Sequence, residues 1–402
     1  DPKPMALRVK EMRGIRSHPN QGISQIIGFC DSMAPPFDTP VSLGYLWRAN
    51  WHVLSHGADR IVYYMEMDKK YCLHAELPRI NEKIILPFGP LIRVLEEPQR
   101  PYALLKSSTS ALVKNDRYFA SVNYPAALLI ANIPYDTVTE EDILSGRVNS
   151  YQGLFLFNTP YIRESVYRKI LDYAKSGKKV YVDHVFKPEV PDAIKLRTTA
   201  EMQAYSLQTL LKRAINAETD FSTDTEGVVL AELVKGRARY LFVIDDSKKD
   251  ENYKREIKIR VKGAGYLYDL PASQQVDIKG ESERHFSFTM TEEGGRLFAL
   301  YPRKIKEVRL SLPETMKMGA ETVVTVEVIG DDGQRLDGNQ PIKLTMINSK
   351  GEQSDYSNYY TTEGGKFSLG FCPPLNDPPG KWKMEVKELS SGLKCSKDFE
   401  VN

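Results

Sequence analysis

The stretch that decides the fold is residues 151–184, which read YQGLFLFNTPYIRESVYRKILDYAKSGKKVYVDH. Leu154 to Phe157 are four consecutive apolar residues, as expected of a strand buried on both faces of a parallel sheet. Thr159-Pro160 predicts the start of a helix, because proline is tolerated in the first turn. Gly177 predicts its end, and residues 178–184 predict a second strand. The pattern therefore indicates an α/β domain.

This unit of strand, helix and strand offers little chemistry of its own. Ligands of open α/β sheets bind beyond the carboxyl ends of the strands, and these ends carry Asn158-Thr159 and Asp183-His184. The sequence has neither a glycine-rich phosphate loop nor a cysteine or serine elbow at these ends. The clearest pattern for the fold thus points to no particular reaction.

Length and charge exclude several classes of protein. A chain of 402 residues predicts two to four domains, at about 100–200 residues each. Lys and Arg number 55 against 53 for Asp and Glu, so net charge gives no case for nucleic acid or an anionic membrane as partner. Since no apolar run reaches about 18 residues, we expect no membrane span.

Periodicity divides the chain into four regions. Residues 1–100 alternate between strands and helices, with a strand over 24–30, a helix over 41–56, a strand over 61–65 and a helix over 76–95 interrupted near Pro87 to Pro90. Residues 101–220 predict a separate α/β domain. After residue 225 the period changes from 3.6 to 2, which predicts β-sandwiches over 221–306 and 307–402. The predicted fold class is multidomain, α/β followed by all-β.

The last region is typical of an immunoglobulin-like sandwich. It has about seven predicted strands, with turn signals every eight to twelve residues. Trp382 is then most simply its core aromatic residue. Cys372 and Cys395 lie near predicted strand ends and could bridge in a secreted protein, with two buried thiols as the alternative.

Residues 43–68, LGYLWRANWHVLSHGADRIVYYMEMD, resemble part of a known family of enzymes. A tryptophan-containing helix that runs into His56-Gly57-Ala58-Asp59 and then an apolar strand resembles the last helix and eighth strand of the (β/α)8 barrel in family 42 β-galactosidases. The resemblance implies that residues 1–100 are the last βα units of such a barrel. It implies that residues 101–220 are a flavodoxin-like, amidotransferase-like trimerisation domain without its catalytic triad, and that the sandwiches are appended domains.

The same resemblance implies where catalytic carboxylates belong. A retaining glycosidase uses two carboxylates about 5–5.5 Å apart, and in this barrel class they follow the fourth and seventh strands. If residues 24–30 are the seventh strand, Asp31 stands where the family has glutamate. The acid/base would then lie before Asp1 or on another polypeptide. The alternative for Asp31 is a helix cap or turn.

Further candidate residues lie on the proposed eighth strand or after it. Glu66 would face the mouth of the barrel, where such enzymes act, and Tyr64 would contact substrate there. The alternative for Glu66 is an exposed charge at a strand end. Asn81-Glu82 resembles the Asn-Glu pair of barrel glycosidases, but it follows the eighth strand and is predicted to lie on a helix.

The histidines and acidic turns do not make a metal site. His52 and His56, four residues apart on a predicted helix, could supply two ligands on one face, but we expect one to pack in an interface and the other to be solvated. Asp331-Asp332 lacks the oxygen spacing of a calcium loop, and a hairpin turn explains it more simply. We therefore expect no metal and no cofactor.

Three tyrosines cluster in a polar segment, SDYSNYYTTEGG, which is predicted to be a loop. Exposed rings of Tyr356, Tyr359 and Tyr360 could stack on sugar faces or anchor a protein partner. The alternative is that the rings pack back onto the sandwich.

The leading hypothesis is the carboxyl-terminal assembly or accessory region of a glycosidase-like protein that acts on carbohydrate. We expect this chain to be catalytically silent alone, and to act as a homo-oligomer or with a companion chain that carries the rest of the barrel. The alternative is a non-enzymatic surface or scaffold protein whose sandwiches serve adhesion or carbohydrate binding. Both favour an extracellular or cell-envelope location. An amidotransferase is disfavoured because no cysteine lies between Cys72 and Cys372.

Overall fold

The computed structural model describes residues 24–28, 43–58, 60–64, 76–113, 123–199, 202–215, 217–247 and 253–402. Its helices are α1 (Leu43–Ser55), α2 (Glu76–Ile80), a π-helix (Asn81–Ile85), α3 (Leu86–Ile92), α4 (Ser108–Val113), α5 (Asn123–Ile130), α6 (Glu140–Leu144), a 3-10 helix (Arg147–Ser150), α7 (Glu164–Lys175) and α8 (Ala204–Ala214). The first ten strands are β1 (Ser24–Gly28), β2 (Arg60–Tyr64), β3 (Tyr102–Leu105), β4 (Tyr135–Val138), β5 (Gly153–Leu156), β6 (Lys179–Val182), β7 (Ile194–Lys195), β8 (Phe221–Ser222), β9 (Val228–Lys235) and β10 (Ala238–Asp245). The others are β11 (Arg255–Val261), β12 (Tyr266–Asp269), β13 (Gln274–Val276), β14 (His285–Met290), β15 (Gly295–Tyr301), β16 (Ile305–Ser311), β17 (Thr315–Met316), β18 (Thr322–Gly330), β19 (Pro341–Ile347), β20 (Asn358–Thr361), β21 (Lys366–Phe371), β22 (Gly380–Glu388) and β23 (Lys394–Val401).

The described residues form two compact units. Unit 1 draws on ranges 1–66, 98–231 and 244–251, and unit 2 on 67–97, 232–243 and 252–402. The helices α2 and α3 therefore belong to unit 2, although sequence reasoning grouped them with residues 1–100. The four predicted domain ranges themselves stay predictions.

Unit 1 contains a five-stranded sheet in the order β4-β3-β5-β6-β7, and all four pairings are parallel. The central strand β5 is buried along its whole length, as its apolar run predicts, and begins one residue earlier than expected. Phe155 packs into the core on one face of the sheet, while Leu154 and Leu156 pack into the core on the other. This double-sided burial is the reason that the strand contains no polar residue.

The helix after β5 begins later than the sequence predicts. We expected it at Thr159-Pro160, but α7 starts at Glu164. The intervening loop is tied down by Ser110, whose Oγ donates to the carbonyl of Tyr161 at 2.6 Å and accepts from its N–H at 3.1 Å. These bonds to α4 outweigh the local preference of proline for a first helical turn.

The predicted interruption near Pro87 to Pro90 is also wrong. The helix continues through both prolines to Ile92, and the irregularity lies before them, in the π-helical turn. There the N–H of Leu86 donates to the carbonyl of Asn81, five residues back. Pro87 follows this turn directly, so its missing N–H falls where the regular α-helical bonding has already given way.

Unit 2 is built from β-sheets. Strands β13-β12-β15-β10-β9 form one sheet, and β11 pairs with β14 in antiparallel register. Two further sheets, β16-β18-β21 and β17-β23-β22-β19-β20, face each other as a sandwich whose core contains Trp382 at 1% exposure, as predicted. Buried hydroxyl groups join the first sheet to the segment just before β19, because Tyr240 and Tyr301 both donate to the carbonyl of Asn339.

The segment predicted to be a polar tyrosine loop is partly a strand. Tyr359 and Tyr360 lie in β20, which pairs with β19 at the edge of its sheet. The ring of Tyr360 lies 4.7 Å from that of Phe367 in a tilted contact, and partial burial of this ring outweighs the polar composition of the stretch around it. Tyr356 lies just before the strand.

The thiols follow neither alternative of the sequence analysis. Cys372 and Cys395 are both free, and both are partly exposed instead of buried.

Gly153 generates a test of the sheet packing. A Cβ at this position would lie 2.8 Å from a ring carbon of Tyr102 and 3.1 Å from one of Tyr181, inside a packed aromatic core. We expect Gly153→Ala to destabilise unit 1 by about 1–3 kcal/mol through overpacking. Hydrogen exchange of β3 and β5 amides should accelerate.

The matched control is Gly89→Ala on α3. An added Cβ there meets nothing nearer than 3.9 Å, so the helical position should gain roughly 0.5–1 kcal/mol. Equal effects of the two substitutions would contradict the packing described for β5.

Candidate functional site

The predicted catalytic carboxylates follow two strands that lie side by side. β1 and β2 pair in parallel from Ser24 and Arg60 to Gly28 and Tyr64, so their carboxyl ends meet at one edge. In the sequence, Asp31 follows β1 by three residues and Glu66 follows β2 by two. Asp31, Glu66 and the side chain of Tyr64 lie outside the described residues, so their roles stay predictions.

The helix between these strands carries buried polar groups. His52 and His56 are both buried, which corrects the expectation that one of them is solvated. His52 Nε2 lies 2.9 Å from Oδ1 of Asp246, a carboxylate 194 residues away in the chain, and Arg48 Nε lies 4.0 Å from the same oxygen. His56 Nδ1 lies 2.9 Å from the carbonyl oxygen of His52. One ring nitrogen of each histidine is thus engaged within the protein.

No three metal-ligating side chains gather anywhere in the ranges that the structure describes. The helix α1 is instead bound to β2 by Tyr63, whose hydroxyl donates to Oδ1 of Asn50 at 2.6 Å. Burial raises the pKa of Tyr63 to about 12, against the opposing effect of this hydrogen bond. The phenol is therefore a neutral donor throughout the physiological range of pH.

The carboxyl edge of the parallel sheet in unit 1 is the place where this fold class holds ligands. Here it is occupied by Glu140, the first residue of α6, which is 0% exposed. Ser107 Oγ donates to Oε1 at 2.6 Å, and Thr109 donates through its N–H at 3.0 Å and its hydroxyl at 2.8 Å. Arg163 Nε donates to Oε2 at 2.7 Å.

These donors set the charge state of the carboxyl group. Burial acts to raise the pKa of Glu140, but hydrogen bonds from Ser107, Thr109 and Arg163 outweigh it and hold the pKa below its ordinary value. An ionised glutamate whose oxygens are satisfied by the protein itself has no capacity left for general acid work. The cluster fixes three loops to one another at this edge.

The corner after β5 has the shape of a strained strand-to-helix turn without its chemistry. Asn158 adopts a left-handed conformation with φ 51°, and its N–H donates to Oδ2 of Asp183 at 2.8 Å. Oδ1 of Asp183 accepts from the N–H groups of Val185 and Phe186 at 3.1 Å. A nucleophile at such a corner needs a hydroxyl or thiol, and this position has an amide.

The rings of the predicted sugar-contacting tyrosines face two kinds of surroundings. Tyr356 packs edge-on against Phe371 at 4.8 Å and, like Tyr360, is partly buried against the sandwich core. Tyr359 is partly exposed, and Nζ of Lys343 lies 5.4 Å from its ring centroid. Among the three, Tyr359 presents the ring best placed for an external partner, and its role in binding stays a prediction.

Sequence reasoning placed Asn158 and Asp183 at the carboxyl ends of their strands, but it missed the hydrogen bond between them and the whole Glu140 cluster. The one local signal was the capping box of α6, in which Thr139 and Asp142 bond each other's backbone and side chain. The donors to Glu140 come from positions 107, 109 and 163, and only the tertiary fold brings them together.

None of the helices in the described part of the chain is long and apolar enough to cross a membrane.

Comparison with known proteins shows a likeness of fold. No family model and no curated protein matches the chain. The β-galactosidase of Bacillus circulans sp. alkalophilus matches at a TM-score of 0.53 and 12% identity, over 73% of this chain and 57% of that one. The β-galactosidase of Rahnella sp. R3 matches at 0.53 and 10%, over 73% and 56%. A GH42 β-galactosidase of G. stearothermophilus matches at 0.50 and 10%, over 74% and 57%.

The predicted resemblance to family 42 β-galactosidases is therefore confirmed for the fold. The chain spans a little more than half of the length of these enzymes.

The pH dependence of unfolding tests whether the ionised carboxyl group of Glu140 stabilises the fold. A carboxyl group with a lowered pKa stabilises the folded state fully above its ordinary value of 4.5, and this contribution is lost as pH falls through the lowered pKa. We expect Glu140→Gln to cost on the order of 2 kcal/mol at neutral pH, since Arg163 is half-exposed and its share is screened. The difference from the unchanged protein should shrink below pH 4.5.

The control is Glu141→Gln. Glu141 binds the same guanidinium through Oε1 but is 67% exposed, so its substitution should shift the thermal midpoint little at any pH. A pH-independent effect of Glu140→Gln would show that the charge of Glu140 does not stabilise the fold.

Proposed function

We propose that this chain is the carboxyl-terminal assembly and accessory region of a carbohydrate-active, glycosidase-like protein, with the catalytic acid/base outside it. The observation that carries the proposal is the fold likeness to β-galactosidases, which extends over 73% of this chain but 57% of theirs. Assembly would be a homo-oligomer or a complex with a chain that supplies the rest of a barrel. We propose an extracellular or cell-envelope location, as such relatives with appended sandwiches suggest.

The carboxyl edge of unit 1 supports an assembly role over a reaction. Its buried glutamate is neutralised by its own neighbours, and the corner at Asn158 has no nucleophile. Both features favour a structural domain over an amidotransferase-like enzyme. We propose that the sandwich of residues 307–402 is immunoglobulin-like and that residues 1–100 end a barrel.

Catalytic silence of the isolated chain is the direct test. We expect no release of glucose from lactose, because an unactivated leaving sugar must be protonated by a second carboxylate as acid/base. Asp31→Asn and Glu66→Gln should leave this blank result unchanged. Hydrolysis by the chain alone that Asp31→Asn abolishes would overturn the proposal, and native mass spectrometry of the same sample would give the assembly state.

The second candidate is a non-enzymatic scaffold whose sandwich binds carbohydrate. The observation that favours it is the partly exposed Tyr359 ring, with the ammonium group of Lys343 over one of its faces. A flat ring next to a cation is suited to the apolar face and hydroxyl groups of a sugar.

This candidate predicts a loss of retention on a galactan column. We expect Tyr359→Ala to weaken galactan binding about fivefold, since an aromatic contact contributes about 1 kcal/mol. The control is Tyr205→Ala on α8, which removes a tyrosine that is 48% exposed in unit 1. Equal retention of the two variants would exclude Tyr359 as the contact.

A further inference from the structure

Unit 2 contains an open pocket of about 400 Å³ that includes none of the residues considered above as catalytic or sugar-contacting. Four chain segments line it: Tyr268 and Gln275 on β12 and β13, residues 304–306 at the start of β16, Asp331 after β18, and Ser391 and Leu393 in the turn between β22 and β23. Its volume falls within the range of about 300–1,000 Å³ that is typical of small-molecule sites.

The lining of this pocket contains two exposed lysines, Lys304 and Lys306. Arg303 pairs with Asp332 and Arg309 pairs with Glu307, so the arginines on either side are neutralised. Lys304 and Lys306 between them make no ion pair with any residue that the structure describes, and both are exposed. Two unpaired ammonium groups that line one pocket favour an anionic group.

A β-bulge turns Lys306 outward. β16 and β18 pair Ile305 with Gly330 and then Glu307 with Ile329, so Lys306 is the extra residue of the strand. Bulges re-aim side chains and recur beside functional sites. Ile305 is buried at this point, and its N–H donates to the hydroxyl of Tyr268 at 2.8 Å, which fixes the position of the strand.

The opposite wall is fixed as well. The buried carboxylate of Glu388 accepts from the N–H groups of Ser390 and Ser391 at 2.7 Å and from the Ser391 hydroxyl, and these bonds shape the turn between β22 and β23. Gly392 has φ 78°, and a Cβ there would lie 3.0 Å from the carbonyl oxygen of Ser273 beside β13. The turn is thus pressed against the neighbouring sheet, and the pocket is preformed.

The remaining polar groups narrow the ligand class. The carboxylate of Asp331 accepts hydrogen bonds only, and the amide of Gln275 both donates and accepts, so the two suit hydroxyl groups. Tyr268, the one aromatic residue of the lining, is 2% exposed and offers no face for a flat base. A compact anion that carries several hydroxyl groups fits this set.

We propose that this pocket binds an acidic sugar, with Lys304 and Lys306 on its carboxylate or sulfate and with Asp331 and Gln275 on its hydroxyl groups. The inference depends on the pocket alone. It requires neither hydrolysis nor assembly, so its failure and that of the proposed function are separate results.

Calorimetric titration of the full chain tests the site with three probes, digalacturonate, galactose 6-sulfate and lactose. We expect at least one acidic probe to bind more tightly than neutral lactose, and the arm that binds identifies the anionic group as carboxylate or sulfate. Lys304→Gln/Lys306→Gln should weaken that binding about tenfold or more, because both charge-assisted bonds to the anionic group are lost. Gln275→Trp, which fills the pocket and keeps both charges, should weaken it too.

The matched control is Lys350→Gln, which removes an exposed lysine from a turn outside the pocket and should leave affinity unchanged. Thermal midpoints of all variants establish that each is folded. The proposal is overturned if neither acidic probe binds at millimolar concentration, if lactose binds equally well, or if the double lysine variant binds like the unchanged chain.

Discussion

The burial of β5 on both faces is the constraint on which unit 1 depends. A strand with helices above and below must be apolar along its length and must have parallel neighbours, and the order β4-β3-β5-β6-β7 places it at the centre. That order also defines a carboxyl edge where the strand order reverses. In proteins of this architecture the edge is open to ligands. Here Glu140 occupies the edge and accepts hydrogen bonds from two other loops. The edge therefore holds the loops together instead of binding a ligand.

In unit 2, some polar groups are bonded within the protein and others are exposed at a pocket. Its buried hydroxyl groups at Tyr240 and Tyr301 are satisfied internally and join one sheet to the segment just before β19. The two lysines of its surface pocket make no ion pair with any described residue, although Asp331 also lines the pocket, while the arginines on either side of them in the chain are paired. The polar groups that point to a ligand are therefore those without an ion-pair partner among the described residues. Lys304 and Lys306 are two such groups, and they lie together beside the bulge in β16.

Elements with a strong local pattern could be predicted from the sequence, and elements held by distant partners could not. The apolar run of β5 sufficed, since burial on both faces alone determines it. The start of α7 was misplaced because Ser110, about 50 residues earlier, holds the loop before it. β20 was read as a loop because its ring contact with Phe367 is invisible in a polar stretch. At the sites, His52 and Asp246 are 194 residues apart, and no spacing rule connects them. The resemblance to family 42 β-galactosidases depended on the order of several weak motifs, and the fold agrees with it.

The buried Glu388 has a consequence that reaches beyond the wall it supports. Burial raises the pKa of this carboxyl group, and hydrogen bonds from Ser391 and Ser390 only partly oppose the effect. A raised pKa favours the folded state below the ordinary value and loses that benefit as pH rises through the folded value, whereas the lowered pKa of Glu140 acts in the reverse direction. Acidic surroundings would thus loosen the α/β unit while they relieve a cost in the β-rich unit. The order in which the two units unfold on heating would then depend on the pH of the solution around the protein.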